Sequence, residues 1–517
     1  MKITDLSLRD KILQTVVIRV DKDRFVPDKI GAAFFFGEII TEADEMGLDC
    51  ARKTLAQYID NADIPILITS DFENGCGSML KGLTPLPYLM SLGAADSEEI
   101  AYNYGKATAL EARSVGANWS FSPVSDLNLN KRNPLINVRG MTDNPELAAR
   151  LLKQVVRGMQ DNGLAACAKH FPGDGLDWRD QHIVTTVNSL GKEDWYKLSG
   201  KVFGELIDDG VYSVMAGHIS LPSMQNETFA NGMKLPATLS HELISGLLKS
   251  EMGFKGVVVT DALGMGGFNG WYGTRQKSEI ESFKAGCDMM LWPTKDYVKN
   301  MTEAVENGYI SMERLDDAVS RILEMKEKLG LFKNDNHAVT LTETEKKFVA
   351  DTQRETAEHS ITLIRDNGHF FPISTQKYKT IGVVPITHHI PAFEEAKLLC
   401  RELENEGFNV NYYPEKITDT DVDECDLIIY ALFSRPFRPM GFLDFHSGEA
   451  EKVAYSLQYG TEKSMVVSFG SPYFGNQYFE RALTYVNAYS MLAPSVKAFV
   501  KTAAGKNKFT EFSPVRL

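Results

Sequence analysis

Titratable side chains are concentrated at residues 169–182, KHFPGDGLDWRDQH, which contain two histidines, a lysine, an arginine and three aspartates. Within this stretch Asp180 precedes His182 by two positions. A carboxylate at this spacing can bond one ring nitrogen, fix the tautomer and leave the other nitrogen free to exchange a proton. The pair is therefore a candidate general acid/base, and the alternative is a solvated turn with an incidental Asp-x-His.

The same stretch also offers four side chains that could bind a metal ion, namely His170, Asp174, Asp180 and His182. Their spacing matches neither HExxH nor any cysteine-based zinc pattern. The glycine-containing turns elsewhere lack the strand–GxGxxG–helix context of a dinucleotide site. We therefore expect neither a metal nor a cofactor.

Three further polar residues stand out by position. Asp261 ends the apolar run GVVVTD, where it could be a nucleophile, an electrostatic stabiliser or the N-cap of a following helix. Asp71 follows the apolar run IPILITS, and Arg139 lies in the glycine- and asparagine-rich turn INVRGMTDN. For Arg139 alone, a surface salt bridge is the alternative.

Short apolar runs alternate with amphipathic helical stretches from the start of the chain to about residue 330. The strand candidates are QTVVIRV (14–20), AAFFFG (32–37), IPILITS (64–70), NWSFSP (118–123), ACAKH (166–170), YSVMAG (212–217), GVVVTD (256–261) and DMMLWP (288–293). Eight such strands predict an α/β fold with an N-terminal (β/α)₈ TIM-type barrel.

The polar residues support this prediction, because Asp71, Lys169, His170, His218 and Asp261 all lie at the carboxyl ends of predicted strands. In a barrel these ends share one face, where active sites are assembled. A doubly wound sheet would also place polar groups there, so the pattern favours a barrel without excluding that alternative.

The chain is predicted to have two domains. We assign 1–330 to the barrel, 331–345 to a linker and 346–517 to a smaller C-terminal α/β sandwich with mostly parallel strands. Its strand candidates are TIGVVPI (380–386), NVNYYP (409–414), DLIIYALF (426–433), SMVVSFG (464–470) and TYVNAYS (484–490). The stretch FRPMGFLDFHSGE (437–449) is predicted to be a solvated loop carrying Asp444 and His446.

The composition excludes several classes of partner. The 517 residues carry a formal net charge of −14, which argues against nucleic acid held by bulk electrostatics. The sequence has no secretory signal and no apolar run long enough to span a membrane, so no membrane partner is expected. The six cysteines are far apart and several lie in apolar runs, which predicts reduced thiols in a cytoplasmic protein.

Taken together, these motifs resemble glycoside hydrolase family 3, in particular its β-N-acetylglucosaminidase branch with a His–Asp acid/base pair. The resemblance rests on KHFPGDGLDWRDQH, LPATLSHELISGLLKSEMGFKGVVVTDALGM, FSPVSDLNLN with NVRG downstream, and SITLIRDNG, VVSFGSPYF and FSPVRL in the second domain. It implies a retaining exo-glycosidase that acts on a small carbohydrate, releasing terminal β-linked N-acetylglucosamine through a covalent glycosyl-enzyme.

The resemblance also implies roles for individual residues. Asp261 is expected to be the nucleophile, and His182, oriented by Asp180, the acid/base. The expected substrate-binding residues are Asp71, Arg139, Lys169, His170, Met215 and His218.

The sequence departs from the branch in two places. The acidic-Gly-Gly-Arg run of the family is Glu73-Asn74-Gly75-Cys76 here, and a second expected arginine is Met79, which puts a preference for acidic peptidoglycan fragments in doubt. The histidine expected before Gly175 is Asp174, and the loop carries Trp178, for which we favour anchoring the turn over stacking on a sugar.

Three alternatives stay open. A family 3 β-glucosidase would usually take its acid/base glutamate from the second domain, leaving Asp180 and His182 non-essential. A phosphorylase acting on the same bond is physically possible, since a neutral imidazole repels an anionic acceptor less than a carboxylate does. The non-enzymatic alternative is a catalytically silent sugar-binding protein.

Overall fold

The computed structural model describes residues 3–21, 29–36, 47–333, 336–388, 391–415, 417–434, 439, 444–445, 447–458 and 460–517. Among these residues, ten strands belong to the first unit: β1 (Val16–Arg19), β2 (Ala32–Phe34), β3 (Leu67–Ser70), β4 (Trp119–Ser120), β5 (Cys167–Phe171), β6 (Thr186–Val187), β7 (Ser213–Ala216), β8 (Ile219–Ser220), β9 (Val257–Thr260) and β10 (Met290–Leu291).

Eight of these strands close into a parallel barrel. Strands β10-β1-β2-β3-β4 form one run of neighbours and β5-β7-β9 another, with every pairing parallel. Single parallel bridges, Trp119 to Ala165 and Val259 to Met289, join the two runs at both ends. The predicted TIM-type barrel is confirmed, and β6 and β8 form a separate short pair near its mouth.

Each of the eight predicted barrel strands overlaps an observed strand. Seven of the observed strands are shorter than predicted, and β5 has the predicted length but ends one residue later, at Phe171. Valine-rich runs such as β1 and β9 suit buried parallel strands, which are apolar on both faces. The barrel interior is packed with large side chains, among them Phe34, Trp119 and Met215. This packing closes the floor beneath the mouth of the barrel.

Helices surround the barrel. They are Leu8–Gln14, Gly47–Asp60, Leu89–Ala95, Glu98–Arg113, Pro145–Gln160, Lys192–Lys197, Ser199–Asp208, the π-helix Glu242–Glu251, Arg275–Ala285, Tyr297–Glu306 and Met312–Lys328.

Pro145–Gln160 shows how the sequence sets such a helix. Asn144 caps it, accepting hydrogen bonds from the backbone N–H groups of Glu146 and Leu147, and proline occupies its first position. Its apolar side chains share one buried face. The helix ends before the predicted Asn162-Gly163 stop, where Gly163 has φ +79°.

The second unit is a six-stranded sheet with helices on both faces. Its strands are β11 (Thr362–Asp366), β12 (Thr380–His388), β13 (Asn409–Tyr412), β14 (Leu427–Ser434), β15 (Ser464–Phe469) and β16 (Thr484–Asn487), in the order β11-β16-β15-β14-β12-β13. Its helices are Glu343–Glu358, Phe393–Asn405, Asp419–Asp423, Ser447–Tyr455, Phe474–Tyr478 and Ala493–Ala503. Separate apolar clusters cover the two faces, as expected of an α/β sandwich.

The second unit differs from expectation in two details. Strand β11, within SITLIRDNG, was not predicted, and it pairs antiparallel with β16 whereas the other pairings are parallel. The helix after the predicted linker begins at Glu343 because Thr342 caps it through a reciprocal bond with Glu345. Most of the predicted loop 437–449, including His446, lies outside the described residues.

The C-terminal segment joins the two units. The backbone N–H of Arg516 donates to Asp143 (2.8 Å), and the carbonyl of Pro514 accepts from the Thr142 hydroxyl. A shared apolar cluster combines Met90, Ala94 and Val138 of the barrel unit with Tyr473, Tyr489 and Val515. Over the described residues, we find no helix with the length and hydropathy to cross a membrane.

Candidate active site

A cavity of about 560 Å³ opens at the carboxyl ends of the barrel strands. Seven of the nine predicted site residues line it: Asp71, Arg139, Lys169, His170, His182, Met215 and Asp261. The other two, Asp180 and His218, lie directly behind lining residues. The parallel barrel explains this convergence, because its strand ends meet at one face.

Asp261 directly follows β9. One of its carboxylate oxygens accepts the backbone N–H of Ala262 (2.7 Å), and the other lies 3.9 Å from Nε2 of His170. Burial alone would raise the pKa of Asp261, but the charges of His170, His218 and His182 outweigh it and hold the pKa at about 2. The residue is therefore an ionised carboxylate at neutral pH.

The helix N-cap alternative for Asp261 is wrong. The chain turns after Thr260, and the next helix along the chain begins at Arg275, with Thr274 as its N-cap. The carboxylate of Asp261 bonds only its own neighbouring backbone N–H among the hydrogen bonds of the described residues.

Asp180 and His182 form the pair expected from their spacing. Oδ1 of Asp180 lies 2.8 Å from Nδ1 of His182 and also accepts the backbone N–H of His182 at 2.8 Å. Asp180 is buried, whereas His182 lines the cavity. With Nδ1 bonded to a carboxylate, Nε2 is the nitrogen available to exchange a proton.

The loop bearing this pair is held by side-chain bonds. Gln181, between the two residues, donates to Asp174 (3.1 Å) and accepts the backbone N–H of His218 (3.0 Å). Asp174 also accepts from Asn133 (3.0 Å), and burial and the nearby Asp126 raise the pKa of Asp174 to about 7. Asp174, left unassigned from sequence, thus ties the loop to the barrel.

Glycines let the loop approach the segment after Asp261. A Cβ at Gly266 would lie 2.1 Å from the carbonyl oxygen of Ile183, and the N–H of Gly266 donates to the carbonyl of His182 (2.8 Å). At Gly175, which has φ +91°, a Cβ would lie 2.0 Å from the carbonyl oxygen of Leu127. With the loop in this position, His182 lines the cavity.

Lys169 and Arg139 are held by a shared carboxylate. Glu73 accepts from Arg139 through both oxygens (2.7 and 2.8 Å), and one of those oxygens lies 2.8 Å from Nζ of Lys169. Nζ of Lys169 also donates to Asp71 at 2.8 Å. Arg139 is 4% exposed and therefore not a surface salt bridge, and Glu73 raises its pKa against the effect of burial.

His170 is oriented by Asp126. Oδ2 of Asp126 lies 2.8 Å from Nδ1 of His170, and the same carboxylate accepts the backbone N–H groups of His170 and Asp174. This leaves Nε2 of His170 directed toward Asp261 at 3.9 Å. The cavity thus contains a second carboxylate-oriented imidazole beside the nucleophile candidate.

The structure contradicts the sequence prediction for two residues, His218 and Trp178. His218 is fully buried and its ring bonds Thr238 (3.0 Å) and the carbonyl of Ala262 (3.1 Å), so it does not line the cavity as a substrate-binding residue. Trp178 is 60% exposed and does not anchor the turn. Arg179 and Asp177 do so instead, through a bidentate pair.

The metal alternative for this loop has no support in the geometry. His170 pairs with Asp126 and His182 pairs with Asp180, so the four candidate ligands do not converge. Over the described part of the chain, no group of three or more His, Cys, Asp or Glu side chains could hold a metal ion.

Glu73 and Asp126 also belong to the site, although the sequence did not predict a site role for either. Glu73 stands two residues after Asp71, and Asp126 lies in FSPVSDLNLN. That spacing and that motif were the available signals. Together the cavity residues provide an ionised carboxylate, an oriented imidazole and a set of fixed hydrogen-bonding groups. A double-displacement reaction requires these groups.

Known proteins match most of the chain. The family model described as Glycosyl hydrolase family 3 N terminal domain matches residues 7–325. A β-N-acetylglucosaminidase/β-glucosidase of Cellulomonas fimi is 32% identical over 494 residues, covering 90% of this chain and 86% of that protein.

Solved structures of two similar proteins each match 99% of this chain at 29% identity. One is the β-glucoside phosphorylase BglX, with a TM-score of 0.88 over 94% of its own chain. The other is a glycoside hydrolase family 3 β-N-acetylglucosaminidase from Paenibacillus sp. str. FPU-7, with a TM-score of 0.83 over 99% of its own chain.

Proposed function

The chain belongs to glycoside hydrolase family 3, and we propose that it is a retaining exo-glycosidase that releases terminal β-linked N-acetylglucosamine. The observation that carries this proposal is the cavity itself, where ionised Asp261 lies with the His182–Asp180 pair. Relatives named as enzymes favour catalysis over a catalytically silent sugar-binding protein.

The first step forms the glycosyl-enzyme. A carboxylate oxygen of Asp261 attacks the anomeric carbon, the bond to the leaving oxygen breaks, and Nε2–H of His182 protonates that oxygen. The depressed pKa of Asp261 supports this role because the nucleophile must be ionised. Asp180 holds the ring so that Nε2 is the nitrogen that transfers the proton.

The second step releases the sugar. His182, now neutral, takes a proton from the acceptor, whose oxygen attacks the anomeric carbon while the bond to Asp261 breaks. Two inversions at the same carbon retain the β configuration. Water as acceptor gives hydrolysis.

The other lining residues are proposed to hold the sugar. Lys169 and Arg139 are buried, and with the partly exposed Asp71 they form a hydrogen-bonded polar wall, which suits hydrogen bonding to sugar hydroxyl groups. Met215 is proposed to contact the sugar face from the barrel interior. The packed floor supports end-on entry of a terminal sugar, hence exo action.

Phosphorolysis is the second candidate, favoured by the 29% identity and TM-score of 0.88 to a β-glucoside phosphorylase. In that reaction a phosphate oxygen replaces water as the attacking group and the product is a sugar 1-phosphate. His182 in place of a carboxylate acid/base makes the site less repulsive to the anion. A β-glucosidase is the alternative in sugar specificity, given the double name of the Cellulomonas fimi relative.

One assay separates these candidates. Turnover of 4-nitrophenyl β-N-acetylglucosaminide and β-glucoside is measured with and without phosphate, and the sugar product is identified. We expect the N-acetylglucosaminide to have the higher kcat/KM. Faster turnover of the glucoside would contradict the proposed sugar, and turnover of neither would contradict the proposed function.

A cytoplasmic location stays a prediction. The burial of five of the six cysteines as free thiols supports it. Fractionation of the native host with detection of the chain in each compartment tests it.

A further inference from the structure

Arg19 lines the same cavity as Asp261 and lies over an aromatic surface. Its guanidinium carbon is 4.0 Å from the ring centroid of Trp292 and 5.6 Å from that of Phe36. We call these three residues the cationic shelf. A guanidinium over an aromatic ring is stabilised by the cation–π interaction and can still donate hydrogen bonds from its N–H groups.

The charge of Arg19 is not neutralised within the described residues, where it forms no ion pair. The other two lining cations differ, since Lys169 pairs with Asp71 and Glu73, and Arg139 pairs with Glu73. Arg275 adds positive charge nearby and, after burial, is the second cause that lowers the pKa of Arg19. Arg275 has its own carboxylate partner in Glu279 (3.1 Å).

The shelf is held in an unfavourable backbone conformation. Trp292 has φ +60°, a backbone conformation that is unfavourable for a bulky side chain and that is concentrated at functional sites. The carbonyl oxygen of Trp292 accepts a hydrogen bond from Arg275, and Phe34 packs edge-on against its ring at 5.1 Å. These contacts fix the indole beneath Arg19.

The shelf and the proposed sugar-holding residues occupy different arcs of the barrel mouth. Arg19 ends β1, Trp292 follows β10 and Phe36 follows β2, which are consecutive strands in the barrel. Asp71 follows β3 and Lys169 lies in β5. A sugar held against β3 and β5 therefore leaves the shelf to the group attached to it or arriving after it.

We propose that Arg19 binds an anionic group, a phosphate or a carboxylate, on the aglycone or acceptor side of the cavity. This rests on the proposed function and names the acceptor or aglycone class of the same site. A guanidinium matches the planar pair of oxygens that both anions present. Once Asp261 is esterified its negative charge is gone, so an anion enters against less repulsion.

With phosphate as the anion, the second step transfers the sugar from Asp261 to phosphate. A phosphate oxygen bonds the anomeric carbon, the ester bond to Asp261 breaks with its electron pair returning to the carboxylate, and the phosphate proton passes to Nε2 of His182. With a carboxylate on the aglycone, Arg19 contributes to the first step by holding the leaving group.

Two measurements separate these sources. The first follows sugar 1-phosphate formation from 4-nitrophenyl β-N-acetylglucosaminide as inorganic phosphate is raised. The second compares kcat/KM for an aryl β-N-acetylglucosaminide with a ring carboxylate against its neutral methyl ester, without phosphate.

Arg19→Met keeps an unbranched chain on the Trp292 ring and removes the charge. We expect it to raise KM for phosphate, or lower the carboxylate-to-ester ratio of kcat/KM, by about 10- to 100-fold. Arg19→Lys should recover part of this loss because it restores charge without the planar fork. Arg401→Ala, an exposed arginine in the second unit, is the matched control for loss of one positive charge.

The outcomes are distinct. If wild-type protein responds to neither phosphate nor the carboxylate, or if Arg19→Met weakens neutral and anionic substrates equally, the anion site is overturned. If wild-type protein turns over no neutral glycoside, the proposed function fails, and the anion site, which rests on it, is overturned with it. A response in one measurement alone identifies the source of the anion.

Discussion

In the proposed mechanism His182 transfers the proton that a carboxylic acid transfers in most retaining glycosidases. This proton transfer by His182 depends on the buried Asp180, which lies 2.8 Å from Nδ1 and leaves Nε2 as the nitrogen that exchanges the proton. Asp261 is kept ionised by imidazoles instead of by a lysine or arginine. The charge on Asp261 thus depends on neighbouring imidazoles within the same cavity.

His182→Ala should discriminate between leaving groups. Alkyl glycosides need protonation of the departing oxygen, so their kcat/KM should fall by about 10²–10⁴-fold, whereas 2,4-dinitrophenyl glycosides should lose less than about tenfold in the first step. The control is His241→Ala, an exposed histidine outside the cavity. Equal losses for both leaving groups would mean that His182 binds substrate and does not transfer a proton.

The catalytic candidates could be named from sequence because each gives a local signal. Asp261 ends a strand, and Asp180 and His182 are two positions apart. Glu73 and Asp126 could not be assigned in this way, since Glu73 meets Arg139 across 66 positions and Asp126 meets His170 across 44. Such contacts exist only once the barrel has closed.

The position of His182 in the cavity depends on the loop that carries Asp180 and His182. Its position is set by Asp174 through Gln181, and by the close approach to Gly266. No local pattern predicts this tether, because Asp174 looks like any polar loop residue until its burial is known. The same holds for the pair β6 and β8, whose two-residue strands give too short a signal.

Asp174→Ala should disturb the position of the loop, although Asp174 does not line the cavity. Asn133 and Gln181 lose their acceptor, so the free energy of unfolding should fall by about 1–3 kcal/mol. Displacement of His182 should lower kcat for poor leaving groups by about tenfold. Asp174→Asn retains an acceptor oxygen and should stay nearer wild type; identical behaviour of the two variants in urea unfolding and kinetics would exclude the tether.

The strands themselves were predictable because parallel strands buried on both faces read as apolar runs. Strand β11, with the sequence TLIRD, was not predicted because only its first residue is buried and the other four are partly exposed. Its polar residues give no continuous run, and its pairing with β16 is fixed by the fold of the whole second unit.

At the scale of the whole molecule, the second unit supports the cavity from outside. Asn137, two positions before Arg139, donates a hydrogen bond to Ser471 of the second unit (3.0 Å). The apolar cluster around Val138 and Val515 buries the junction on the other side. The position of Arg139 therefore depends on docking of the C-terminal segment.

Val515→Asp should disturb both stability and substrate binding. Val515 is 4% exposed, so an aspartate there is a buried unpaired charge, which should lower the free energy of unfolding by about 2–4 kcal/mol. KM should rise as Arg139 loses support. Val339→Asp, at a valine that is 42% exposed, should change stability by less than about 0.5 kcal/mol. Wild-type KM in Val515→Asp would disprove the coupling.

The central claim is that Asp261 becomes covalently glycosylated. The direct measurement is mass spectrometry of the protein after reaction with an activated 5-fluoro N-acetylglucosaminyl fluoride, whose ring fluorine slows breakdown of the ester. We predict a single sugar adduct on the peptide containing Asp261, absent from Asp261→Ala, whose turnover falls by several orders of magnitude. An adduct on another residue, or near-normal turnover by Asp261→Ala, would contradict the account.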